Sequence, residues 1–275
     1  MTKSLASESQ FQVGAATTRA LSAWIMTLPK ALPLAIVAHL PLIAWTCQSP
    51  SVATDLHEIA DGAVARIWGP LLLSQLIQIS CTTILSGMII CLAFKHLQRE
   101  PSSIGTAFST GMRRIVPLVL IGLAVGGLSV VPIGMVLAMS AVGDPDQLEL
   151  RIGVASTVTV VVRVIISMML SAAPGAAVIE SHGALTAIKR SLALTEGFRW
   201  RILGCTLLVG IVVGIVSGVF GFIAVIGFSS GTEHVAVLIA LVTTPLTASL
   251  EAVIYHDLRL SKEGVEVADL MRVFA

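Results

Sequence analysis

The chain has 275 residues, of which 55% are hydrophobic and 12% charged, with a formal net charge of +1. Soluble domains carry about 25% charged residues, so this composition, with a mean hydropathy of +0.93, excludes an ordinary soluble domain. Several apolar runs exceed the roughly 20 residues that a bilayer-crossing helix needs, and the sequence predicts an all-α polytopic membrane protein.

Met1–Gln12 is polar, and the first 14 residues read as a flexible N-terminus. Ala15–Leu28 places Leu21, Trp24, Ile25 and Leu28 on one side of a surface helix, and a first span follows at about 29–46, bent by Pro33 and Pro41. A polar loop with Asp55, Glu58 and Asp61 leads to a second span at about 67–94. Pro101 and Ser102 open a second short helix with Ile104, Ala107 and Phe108, before a third span at about 115–142. The acidic loop GDPDQLEL precedes a fourth span at about 152–178.

Ile179–Gly204 is the clearest interfacial stretch. Leu185, Ile188 and Leu192 form an apolar stripe, with Lys189, Arg190 and His182 on the polar side. Ser181 is the expected N-cap and Gly197 the expected stop. Trp200 between Arg199 and Arg201 marks the headgroup layer. Spans five and six follow at about 202–228 and 235–255, joined by a tight turn at Ser229–His234. The expected fold is therefore six transmembrane helices in three hairpins, each preceded by a short cytoplasmic amphipathic helix. One integral membrane domain covers 1–275, with repeats at 15–94, 95–178 and 179–255 and a cytoplasmic tail at 256–275.

Basic residues set the orientation. Fourteen Lys and Arg fall on the side of the termini, against Arg66 and Arg151 on the other, with Arg163 inside a span. By the positive-inside rule both termini face the cytoplasm of a bacterial inner membrane.

Outgoing and returning spans differ in character. Gly122 and Gly126 form GxxxG in the third span, and Gly210, Gly214 and Gly218 form a double GxxxG in the fifth. Such spacing lets backbones approach closely, either within the chain or in a homo-oligomer. Returning spans carry polar stripes: Gln75 and Gln78 in the second, Thr159, Arg163 and Ser167 in the fourth, Thr244, Thr247 and Glu251 in the sixth. They are expected to face one another in a polar core that is either glue between helices or an anion site.

The sequence holds no nucleotide-binding loop, HExxH or GxSxG. The four cysteines lack CxxC spacing, so neither a disulfide frame nor a metal site is expected, and no cofactor is implied. His39, inside a span, reads as a hydrogen-bonded core residue. Few aromatics and little basic surface argue against nucleic-acid binding.

Two stretches, IESHGALTAIKRSLALTEGFRWRILGCTLL and IYHDLRLSKEG, resemble motifs of bacterial membrane proteins related to the membrane domain of glycerophosphoryl diester phosphodiesterases. His256 and Ser261 depart from the closing motif of that group. The resemblance implies an inner-membrane helical protein without the phosphodiesterase domain. It also implies a cytoplasmic structural cluster of Glu180, Arg190, Ser191, Asp257, Arg259 and Glu263. The resulting expectation is a non-enzymatic module that binds membrane lipids or a protein partner, or scaffolds an assembly. The alternative is a small transporter or channel for an anionic or amphipathic solute, with Arg163 in its core.

Overall fold

A computed structural model describes residues 11–48, 64–140, 148–227 and 232–263. The loop around Asp55, Glu58 and Asp61, most of the acidic loop, the start of the 229–234 turn and the tail beyond Glu263 lie outside the described residues. What is described is helical, with no strand among the described residues.

Among the described residues nine helices follow in order: α1 Val13–Gln48, α2 Val64–Leu97, α3 Ile104–Arg113, α4 Ile115–Ser140, α5 Leu148–Leu170, α6 Ala173–Ile179, α7 Ala184–Thr195, α8 Arg199–Gly227 and α9 Thr232–Glu263. Five of them, α5 continuing into α6, supply segments long and apolar enough to cross a membrane. A sixth is reached if α3 and α4, which meet at a 71° bend, count as one broken span.

The first unit differs from its expected form. Ala15–Leu28 is the first part of one continuous helix of 36 residues with Pro29, Pro33 and Pro41 inside it. Each proline removes one donor, yet its fixed φ is helical, and a packed membrane helix tolerates the loss.

The short helices are cut out by local chemistry. α2 ends with Lys95 and His96 in its last turn, cations that suit a helix C-terminus. Arg99 then takes a left-handed φ of 58°, with Glu100 N–H bonded to Lys95 O at 2.9 Å. Ser103, one residue beyond the expected opening, caps α3 by accepting the Thr106 N–H at 3.1 Å. Gly197 takes φ 86° between α7 and α8, the conformation expected of it. Ser181 does not cap α7. Gly183 occupies that position without a side-chain bond, and Ser181 instead makes the left-handed turn after α6, with φ 60°.

The centre of the bundle is α1, α2 and α9, which pack on one another. Small residues permit the close approach: Ala23, Ala31 and Ala35 of α1 share a buried cluster with Ala248 and Ala252 of α9 and with Leu85, Met88 and Ile89 of α2. α8 lies along α9 and α1, and α4 pairs with α5 and meets α2. At the α2–α4 seam a Cβ on Gly126 would stand 2.5 Å from Ile79, and one on Gly122 would strike Thr83. The outer faces are apolar, with Val116, Val160 and Ile215 each more than 60% exposed.

Candidate functional site

The polar stripes are distributed rather than collected. α5 packs on α4, α7 and α8, while α2 and α9 pack on α1 and on each other. The fourth span reaches α2 and α9 through α6, while α1 packs along both of them. Arg163, Gln75, Gln78 and Thr247 are exposed on outer helix faces. Thr159 and Ser167 are partly buried and Thr244 is buried. Ser167 donates to Val164 O at 2.8 Å and Thr247 to Thr244 O at 3.0 Å, so each hydroxyl is satisfied within its own helix. Glu251 is the exception: its Oε2 is buried without a hydrogen-bond partner among the described residues, as are Nε2 of His39 and Nε1 of Trp24. His39 is fully buried, with Nδ1 2.9 Å from Ala35 O.

Charged groups gather instead at the end of the bundle where α1 begins and α9 finishes. Glu180, at the end of α6, is the hub. Its Oε1 accepts from Tyr255 Oη at 2.5 Å and from Arg190 Nη2 at 3.1 Å. Its Oε2 accepts from Arg190 Nε at 3.1 Å and lies 2.9 Å from His182 Nε2. Arg190 continues to Glu263, which also accepts from Arg259 Nε at 3.0 Å. Lys262 donates to Ala193 O, fastening α9 to α7. Burial by itself would raise the Glu180 carboxyl, but the hydrogen bonds from Arg190 and Tyr255, with the charges of Arg190 and His182, hold it below the usual carboxylate range.

Glu180, Arg190, Arg259 and Glu263 therefore form one bonded network. Asp257 lies outside it, pairing with Arg19 of α1 at 2.6 Å. Ser191 has a separate task. The chain breaks between α5 and α6, where Pro174 removes a helix donor. The Ser191 hydroxyl donates to Met169 O at 2.8 Å and accepts the Ala172 N–H at 3.2 Å. This explains why the buried face of α7 is Ala187, Ser191, Leu194 and Thr195, while Leu185 of the expected stripe is 77% exposed.

Tyr255 escaped the sequence reading. It is the only tyrosine of the chain and is fully buried, and a buried hydroxyl needs a partner. Gly175 makes room for it, since a Cβ there would stand 2.6 Å from the Tyr255 ring. Phe94 packs on the same ring with centroids 5.9 Å apart. No group of three or more His, Cys, Asp or Glu among the described residues is placed to hold a metal, and Cys81, Cys91 and Cys205 are free and buried.

Long apolar helices with apolar outer faces, and ion pairs gathered at one end, have the character of a multi-pass helical membrane protein. Within that class the chain belongs to a family described as a domain of unknown function, DUF7847, which matches residues 31–257. No curated protein and no solved structure matches the chain. Nothing in these comparisons ties it to the membrane domains of glycerophosphoryl diester phosphodiesterases.

Proposed function

We propose that the protein is a non-enzymatic module of the bacterial inner membrane that binds a membrane lipid or a protein partner, or scaffolds an assembly. The observation that carries this reading is the filled centre of the bundle: α1, α2 and α9 close on alanine, leucine and isoleucine side chains, and Arg163 stands outside that centre on an exposed face. A carrier for an anionic solute needs its charge inside a hydrated path, and this arrangement favours a packed module. In this reading α3 and α7 lie on the cytoplasmic surface. Support comes from the exposed apolar row Ile104, Phe108 and Met112 on α3 and from Trp200, 83% exposed at the start of α8.

Single cysteines at Gln78, Ser167 and Thr247, in a chain whose four native cysteines are replaced, test the reading. The expected result is protection from a membrane-impermeant thiol reagent applied to either side, because these positions face lipid or protein. Labelling of all three would open an aqueous path and turn the assignment to a transporter.

A further inference from the structure

A groove of about 530 Å³ runs between α1 and α2 and is roofed by α3 and the first residue of α4. Leu34 and Ala38 form one wall, Leu76, Ile84 and Met88 the other, and Phe108 and Met112 the roof. From Met88 to Leu76 the wall extends about 18 Å at 1.5 Å per residue. One leaflet of a hydrocarbon core is about 15 Å deep, so the groove spans one leaflet. The hydroxyl of Ser80, which also lines it, is spent on Leu76 O at 2.8 Å.

Among the described residues no charged one lines the groove itself, but a cation stands one turn of α1 from Leu34. Lys30 lies one turn before Leu34 on the same face of α1, and its Nζ donates to Ser102 O at 2.8 Å and to Ser102 Oγ at 3.2 Å. No carboxylate pairs with Lys30 among the described residues. Glu100, the carboxylate nearest Ser102 in sequence, is exposed. Ser102 directly precedes the Ser103 cap of α3, a helix with no acidic residue in its first turn, so the positive end of that helix dipole points to the same place.

We propose that this groove holds an acyl chain of an anionic glycerophospholipid from the leaflet on the α3 side, with the phosphate at Lys30 and Ser102. The proposal rests on the lipid-binding form of the reading above. An apolar channel one leaflet deep takes a chain, and an uncompensated ammonium at its mouth selects a negative headgroup over a neutral or zwitterionic one. Phe108 and Met112 form an adjustable lip, since an unbranched thioether adapts to chains of different shape.

Native mass spectrometry of the full chain in mild detergent, titrated with phosphatidylglycerol or phosphatidylcholine, tests it. One phosphatidylglycerol is expected to be retained in preference to phosphatidylcholine. Lys30→Gln should weaken it about tenfold, as loss of a charge-assisted hydrogen bond implies, while Lys189→Gln on exposed α7 leaves it unchanged. Ala38→Phe should block the chain, with Val37→Trp serving if the first variant fails to fold. A lysophospholipid with the same headgroup should compete, and inorganic phosphate should not. Equal retention of both lipids, phosphatidylglycerol binding indifferent to Lys30 and Ala38, or loss of a dimer on filling the groove would each overturn the assignment. Of these, binding indifferent to both positions leaves the lipid-binding reading standing. Absence of any retained lipid, together with labelling of the Gln78 and Thr247 cysteines from water, would bring down that reading as well.

Discussion

Glu180 shows at the scale of a residue how this chain holds its charged end together. Arg190 of α7, Tyr255 of α9 and His182 from the α6–α7 turn converge on one carboxylate, and its titration is thereby displaced downward. A carboxyl whose folded value lies below its unfolded value of about 4.3 stabilises the fold fully above that value and loses the contribution as pH falls through the folded value. Glu180→Gln is therefore expected to lower stability at pH 7 by about 1–3 kcal/mol. It should also flatten the acid limb, so that wild type and variant draw together as pH falls below the carboxyl's unfolded value of about 4.3. Thermal unfolding in detergent across pH 3–7 measures both effects, and parallel curves would show that Glu180 is not the hub. The network was half legible beforehand. Arg259 and Glu263 stand four residues apart on one helix, and Arg190 and Glu180 share one motif, so the sequence brings each pair close. Tyr255 is separated from Glu180 by 75 positions, and only the packing of α9 on α6 discloses their bond.

Elements separate two uses of glycine that spacing alone leaves together. Gly122 and Gly126 on α4 press against α2, whereas Cβ atoms on Gly210, Gly214 and Gly218 of α8 would meet nothing within 4 Å. α8 is also the least covered of the candidate spans, with 17% of its apolar window buried. A period of four residues reveals a flat helix face but not which neighbour arrives there, so the two motifs read alike in sequence. Under the reading of a scaffolding module, the α8 face meets a second copy of the chain. Gly122→Ile should then lower the thermal stability of the monomer, as overpacking costs about 1–3 kcal/mol. Gly214→Ile should leave the monomer intact and abolish cross-linking between copies in membranes. Cross-linking that survives Gly214→Ile would remove α8 as the contact. The short helices teach a related lesson. The left-handed turn at Gly197 was visible because Gly supplies it, but the cap at Ser103, the turn at Ser181 and the seat of Ser191 in the α5–α6 break were not, the last because it depends on where α7 lands rather than on its own periodicity.

For the whole molecule the open quantity is the number of crossings, and contacts at one end decide it. Arg19 meets Asp257 at 2.6 Å, so the start of α1 and the end of α9 share that end. Lys30 reaches Ser102 at 2.8 Å, and Arg114 reaches Ser181 O at 3.1 Å, bringing the junctions before α3 and α7 to the same end. A chain that leaves and re-enters one end each time crosses an even number of times. Five segments qualify by length and composition, and the bent α3–α4 pair offers the next, so six crossings are expected with α4 as the third. On the proposed reading the sequence assigns 14 of the 17 Lys and Arg to the side of the termini, and the positive-inside rule would put that side in the cytoplasm. Fusions of a cytoplasm-active fluorescent protein should therefore shine after Gln98, His182 and Ala275. Fusions of an export-dependent phosphatase should be active after Pro145 and Ser230. Signals of opposite kind at Gln98 and His182 would mean that α4 does not cross. The Arg19–Asp257 pair would then have to span the bilayer, which a 2.6 Å contact forbids, so that pattern would refute the helix arrangement itself and not merely its orientation.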